Sequence, residues 1–301
     1  MRDWLVRGFR ALYERVLRRE ISGVPKHVAI IQDGNRRYAR EQGAKAKAGH
    51  EAGAETTERV LEWCAELGIE ELTIYAFSTE NFDRPPEERE HLFDLLAEKL
   101  YEFAKSDRVH EDEVQIRALG QIERMPERVR DAITYAQRQT ASYDALTLNV
   151  AIAYGGRAAL LDVTRDIARE VNNGALEAED VDVSAIESRL YDGSVGEVDL
   201  IVRTGGDERT SNFLPWYANG NEAAAFFCTP YWPEFSKVDF LRAIRTYEAR
   251  EASWRRTRTQ RALALVRALG DEVQERQVLD RLGVPQPDRE QAVEETDSAA
   301  D

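Results

Sequence analysis

Asp33, Gly34, Asn35, Arg36 and Arg37 follow an apolar run, Val28 to Ile31, after the single residue Gln32. Gly34 lets the backbone approach an anion with no side chain in the way. A helix starting near Asn35 would turn its free N–H groups and positive dipole end toward the same spot. Arg36 and Arg37 add charge-assisted hydrogen bonds, about 1.5–3 kcal/mol each when well made. Asp33 cannot hold a phosphate directly, because two anions repel. It fits only with a divalent cation between them, and Mg2+ is the usual partner of carboxylate and phosphate oxygens. An Asp-Gly pair alone is an ordinary turn after a core strand, so the weight falls on what other segments carry.

Three further segments end in the same kind of chemistry. A second apolar run from Leu72 ends in Ser78, Thr79, Glu80, Asn81, Phe82 and Arg84. A third from Val198 ends in Arg203, Gly205, Gly206, Arg209, Thr210 and Ser211, and the run Leu146 to Tyr154 ends in Gly155, Gly156 and Arg157. Such runs suit strands covered on both faces. The elements that must position these residues are therefore those of an α/β domain, a central mostly parallel sheet flanked by helices. Ligands gather at the carboxyl ends of strands in such sheets, so the four ends are expected to converge on one site for one or two polyphosphates and a metal.

The combination DGN-R, FS-EN---R, Y-GGR and RTGG---R-SNF, from about His27 to Glu251, closely resembles the cis-prenyltransferase family of the undecaprenyl diphosphate synthase type. The resemblance implies that family's fold and a homodimer. It also implies condensation of isopentenyl diphosphate onto an allylic diphosphate, each new double bond cis. No DDxxD motif of the helical trans-prenyl synthases occurs. Carried over by position, Asp33 would hold Mg2+ on the diphosphate and Glu222 would complete metal coordination. Gly34, Asn35, Arg36, Arg37 and His50 would cradle the allylic diphosphate, with Tyr38 beside them. Asn81, helped by Ser78, would lie near the proton that isopentenyl diphosphate loses, within the segment Thr79, Glu80, Phe82 and Arg84. Arg203, Arg209, Thr210 and Ser211 would bind the diphosphate of isopentenyl diphosphate. An apolar tunnel for the product would be lined by helices at about Thr56 to Leu67 and Glu88 to Phe103 and by strand residues such as Ala76. Ordinary core packing explains any one of those apolar residues equally well.

The chain departs from the family pattern in places. Ala46 stands where the bacterial members carry an arginine, flanked by Lys45 and Lys47, and lysine lacks the bidentate fork. Phe82 and Tyr38 replace tryptophans, and Glu208 replaces a histidine.

The net charge is -15, and only six of the 41 basic residues are lysines. That balance resembles proteins of salt-loving archaea, whose anionic surfaces stay hydrated in salt, and it argues against a nucleic-acid partner. With a haloarchaeal source, geranylgeranyl diphosphate is the expected primer and a long polyprenyl diphosphate, precursor of a glycan-carrier lipid, the expected product. A farnesyl-primed or short-chain enzyme and a non-catalytic partner subunit are the alternatives. Cys64 and Cys228 form no CxxC pair; both are expected as buried apolar residues of a cytoplasmic protein. No apolar run is long enough to span a membrane. Trp4, Leu5, Phe9, Leu12 and Val16 follow helical spacing among arginines, as in a helix lying on an anionic bilayer or one packed on the domain. Residues 1–22 are thus expected as an amphipathic helix, 23–270 as one catalytic domain, and 271–301 as a short helix and a solvated acidic tail.

Overall fold

The run after His27 forms β1 (His27–Ile31), and all five of its residues are buried. A computed structural model of the chain describes residues 12–190, 195–218 and 223–268. Residues 12–20 are helical, α1. After β1 come α2 (Asn35–Glu41), α3 (Ala46–Leu67), β2 (Glu71–Ser78), a 3-10 turn (Thr79–Asp83), α4 (Pro86–Lys105), α5 (Asp107–Glu111) and β3 (Val114–Leu119). The order continues with α6 (Glu127–Gln139), β4 (Leu146–Tyr154), α7 (Gly156–Asn172), α8 (Val183–Glu187) and β5 (Leu200–Arg203). The last elements are α9 (Pro215–Ala218), β6 (Ala224–Phe227) and α10 (Lys237–Ala268).

The strands form one sheet in the order β3-β4-β2-β1-β5-β6. Every pairing is parallel. Alternating residues explain why β1 is apolar from Val28 to Ile31. Val28 and Ile30 join the core under α3, α4 and α6, while Ala29 and Ile31 join the opposite core with Val163 and Ile167 of α7. With both faces covered, consecutive apolar residues suit the strand, and the buried His27 that opens it is hydrogen-bonded with Thr73 Oγ1 and the Gly196 carbonyl.

From β1 the chain passes to β2 on one side, and only much later does β5 pair with the other edge of β1. The connections therefore leave β1 and β5 in opposite directions. A crevice opens between two such carboxyl ends, and Asp33 and Thr204 stand at its lips.

Two compact units divide at Glu248. The described part of the second, residues 249–268, is the end of α10. The expected boundary at 270, the acidic tail, and Trp4, Leu5 and Phe9 lie outside the described residues. No helix among the described residues is long and apolar enough to cross a membrane.

Candidate active site

Gly34 adopts φ 103 and caps α2, which begins at Asn35 as expected. A Cβ there would lie 2.6 Å from the Tyr231 ring, so both conformation and space require glycine. This turn delivers Asp33 into the crevice. Its Oδ2 accepts from Arg203 Nη2 at 2.7 Å, its Oδ1 accepts from the Gly34 N–H at 2.7 Å, and Arg37 Nη2 lies 3.1 Å from Oδ1. Thr204 Oγ1 donates to the Asp33 carbonyl at 2.7 Å, tying the two strand ends together. Burial raises the Asp33 pKa, but the hydrogen bond and charge of Arg203, with Arg37 and the Gly34 N–H, outweigh it, and the net shift is downward. Asp33 is a carboxylate at neutral pH.

Arg203 is 4 % exposed. Its Nη1 donates to Ser211 Oγ and to the Arg209 carbonyl, both at 2.6 Å, and its Nη2 also reaches Asp207 at 3.0 Å. Its Nε is buried with no protein acceptor. Arg209 lies 3.3 Å from Asp207.

Asp33, Gly34, Arg37, Asp207 and Arg209 share a cleft of about 480 Å³ with Gln32, Asn35, Arg36, Arg40, His50 and Arg84; Arg203, Thr204 and Ser211 are not in its lining. Five arginines face two carboxylates there, a cationic focus on a chain of net charge -15. Low-dielectric walls concentrate such a field on an incoming polyanion. Glu88 at the rim accepts from Arg84 at 2.5 Å and lies 3.9 Å from Arg36 and 3.6 Å from His50. Burial, followed by the Arg84 charge, lowers the His50 pKa to about 4, so this ring is neutral at pH 7.

The cleft runs into an apolar pocket. Gln32, Asn35 and His50 line both, and the pocket continues along Gly53, Ala54 and Thr57 of α3, Leu92, Leu95 and Leu96 of α4, and Ala76 of β2. These are the two helices and the strand residue expected to wall a tunnel.

Several expected residues fall elsewhere. Tyr38, Thr79, Glu80 and Thr210 do not line the cleft or the pocket. Phe82 packs edge-on against Phe77, with the Arg124 guanidinium 4.2 Å from its ring centre. Its bulk serves the aromatic cluster under the site. Asn81 and Ser78 form a reciprocal cap on the 3-10 turn, Asn81 Oδ1 accepting from the Ser78 N–H at 3.0 Å. They stand beside the cleft, which the same turn reaches through Arg84. The fourth strand end does not converge. Arg157 is exposed and lines no part of the cleft. Gly156 instead packs where a Cβ would lie 2.0 Å from Pro215 Cδ, and Asn212 accepts from the N–H groups of Gly156 and Arg157. That segment buttresses the loop carrying Ser211. Lys47 pairs with Glu51 at 3.6 Å and neither Lys45 nor Lys47 lines the cleft; Arg40 does. Cys64 is buried, whereas Cys228 is only partly so. Glu208 is exposed. Glu222 lies outside the described residues.

Sequence reasoning missed Arg40, Glu88 and Asp207. One helical turn separates Arg40 from Arg36, a spacing that puts both on one face. The signal for Arg40 was there to read.

A switch-point cleft that gathers five arginines around two carboxylates and opens into an apolar pocket defines a protein that handles diphosphates attached to apolar chains. The chain belongs to the undecaprenyl diphosphate synthase family of cis-prenyltransferases. The family described as "Putative undecaprenyl diphosphate synthase" matches residues 31–255. A tritrans,polycis-undecaprenyl-diphosphate synthase (geranylgeranyl-diphosphate specific) of Halobacterium salinarum is 65 % identical, over 100 % of both chains. The protein of the same description from Haloarcula marismortui is 62 % identical over 98 % of this chain and 99 % of its own. Among solved structures, lavandulyl diphosphate synthase from Lavandula x intermedia, in complex with dimethylallyl diphosphate, superposes with a TM-score of 0.70. It is 32 % identical, covering 74 % of this chain and 95 % of that one.

Proposed function

We propose that this protein condenses isopentenyl diphosphate repeatedly onto geranylgeranyl diphosphate, giving a long cis-polyprenyl diphosphate that serves as precursor of a glycan-carrier lipid. The observation that carries this reading is the continuity of the cationic cleft with the apolar pocket through Gln32, Asn35 and His50. One end suits a diphosphate and the other suits its hydrocarbon. The haloarchaeal relatives bear the corresponding description.

In this reading the allylic C–O bond breaks, leaving a delocalised cation and a diphosphate. The double bond of isopentenyl diphosphate attacks that cation, and loss of a proton completes the new cis alkene. Arg36, Arg37, Arg40 and Arg84 stabilise the charge developing on the departing diphosphate. Arg203, Arg209 and Ser211 hold the diphosphate of the incoming unit. Asn81 Oδ1 is already engaged by the Ser78 N–H, and an amide is a poor base, so the proton passes to a diphosphate oxygen.

Among the described residues no three His, Cys, Asp or Glu side chains form a metal cage. Mg2+ needs none, because it binds through one or two carboxylates together with substrate phosphates. Asp33 is an ionised carboxylate facing the cleft and fits that role; Glu222 is the second carboxylate in this proposal. Bound there, Mg2+ would neutralise the diphosphate as the C–O bond breaks.

The protein acts as a cytoplasmic homodimer that meets the membrane peripherally. Leu12, Tyr13 and Val16 of α1 are 55, 48 and 42 % exposed, while Leu17, one turn on from Tyr13, is buried. An apolar strip among arginines suits an anionic bilayer, into which a long product must pass.

The test is incorporation of labelled isopentenyl diphosphate by the purified chain with Mg2+ and high salt, on geranylgeranyl and farnesyl diphosphate in turn. Long cis products from geranylgeranyl diphosphate are expected. A preference for farnesyl diphosphate would overturn the primer assignment, and no product under any condition would overturn the enzyme.

A further inference from the structure

Pro230, Tyr231 and Trp232 follow β6, and their backbone joins the two lips of the cleft. The Pro230 carbonyl accepts from the Gly205 N–H at 2.8 Å, and the Trp232 N–H donates to the Asp33 carbonyl at 3.0 Å. Trp232 is fully buried, and its Nε1 donates to the Gly53 carbonyl of α3 at 2.7 Å. The Tyr231 side chain takes no part in those bonds. It is half-buried, and its ring packs against Gly34, where a Cβ would lie 2.6 Å from Cδ1. The ring centre is 5.5 Å from the Arg37 guanidinium carbon, and the hydroxyl donates to Glu41 Oε1 at 2.6 Å. Arg37 lies in the first turn of α2 and Glu41 is its last residue. Four residues apart, the two share one face of the helix, and Tyr231 spans them.

Arg37 needs a restraint of this kind. A long guanidinium side chain loses rotamer freedom when it is held in one place. Its Nη2 is 3.1 Å from Asp33 Oδ1, and it passes so close to Gly205 that a Cβ there would lie 2.7 Å from Nη2. The reaction proposed above turns Asp33 toward substrate, so that ion pair cannot be the only restraint. A carboxylate in its place would neutralise the cation. The face of an aromatic ring attracts a guanidinium while carrying no net charge, and leaves the charge of Arg37 for a diphosphate. The Glu41 hydrogen bond raises the Tyr231 pKa, which keeps the hydroxyl a donor at neutral pH.

We infer that Tyr231 is a positioning residue for the allylic diphosphate: its ring, anchored to the end of α2 through Glu41, holds Arg37 toward the cleft without taking up its charge. The inference rests on Arg37 being a ligand of that diphosphate, as proposed above. Tyr231 does not line the cleft itself, so it acts through Arg37 and not on substrate.

The experiment measures KM separately for geranylgeranyl diphosphate and isopentenyl diphosphate on the purified full chain and its variants, with Mg2+ and high salt. Tyr231→Leu is expected to raise the allylic KM about 5–10-fold, the scale of losing one ring contact and one hydrogen bond. The KM for isopentenyl diphosphate should not move, because the backbone bonds of Pro230 and Trp232 remain. Tyr231→Phe keeps the ring and should recover most of the loss. An unchanged allylic KM in folded Tyr231→Leu, or an equal rise in both KM values, would overturn the inference. Should that variant fail to fold, Glu41→Ala takes its place. It is expected to match the small rise of Tyr231→Phe and to add nothing when the two are combined; additive rises, or no rise in either, overturn the inference. An unaltered protein that makes no prenyl product would bring down the underlying activity instead, a result distinct from an active enzyme whose allylic KM does not respond to Tyr231.

Discussion

Asp33 and Arg203 hold each other in the cleft, and the chemistry asks both to turn toward substrate. The pair is half open to solvent on the Asp33 side, 30 % exposed against 4 % for Arg203, so water and substrate reach the carboxylate first. Asp33→Asn should preserve the turn, since the Gly34 N–H and Thr204 contacts need only oxygen atoms. We expect kcat to fall about 10³-fold, the scale of losing one strong transition-state contact, with little change in circular dichroism; near-normal turnover would refute the metal role. His50 makes a pH prediction. Its folded pKa of about 4 lies below the ordinary 6.5, so the unfolded chain binds more protons between those values. Stability from this site is complete above pH 6.5 and is lost as pH falls through 4, by at most about 3 kcal/mol. The downward shift of Asp33 acts in the same direction at still lower pH. Melting temperature followed from pH 7 to pH 4 should decline, and His50→Gln should flatten that slope; an equal slope in the variant would refute the assignment.

At the scale of elements, what could be read in advance was what a strand end announces. The strands β1, β2, β4 and β5 are apolar runs that stop at polar groups, so their existence and their site residues came together. β3 was not legible as readily, because Gln115 and Arg117 interrupt it, and β6 has only four residues. Glu88 escaped for a different reason. It sits in the run Glu87-Glu88-Arg89-Glu90, where only the rotational setting of α4 decides which acid meets Arg84. The GGR segment was misread because a glycine pair after a strand looks alike whether it admits a phosphate or a neighbouring loop. Its observed role gives a prediction: Gly156→Ala presses on Pro215 and displaces the loop that carries Ser211. We expect a cost of about 1–3 kcal/mol, as for overpacking generally, and a raised KM for isopentenyl diphosphate with the allylic KM unchanged. Equal rises in both KM values would show that the segment serves the whole site.

For the whole molecule, charge dominates. With 56 acidic against 41 basic residues, self-repulsion opposes the compact state unless salt screens it. The screening length falls from about 10 Å at 0.1 M salt to about 3 Å at 1 M. Melting temperature should therefore rise steeply with KCl toward molar concentrations; a flat response would mean that the surface is already balanced by local ion pairs. The sheet order carries a consequence of another kind, for the nascent chain. β1 lies between β2 and β5, yet Leu200, where β5 begins, follows Ile31 by 169 residues. At about 5–20 residues per second of synthesis, that second edge of β1 waits roughly 10–30 s for its partner. During that interval a strand that is buried at every position in the folded protein offers an unpaired edge, a template for pairing between neighbouring chains. The ribosome must release Arg203 before Asp33, until then paired only with Arg37, acquires its second counter-charge, and a truncated chain ending before β5 is expected to be inert and prone to aggregate.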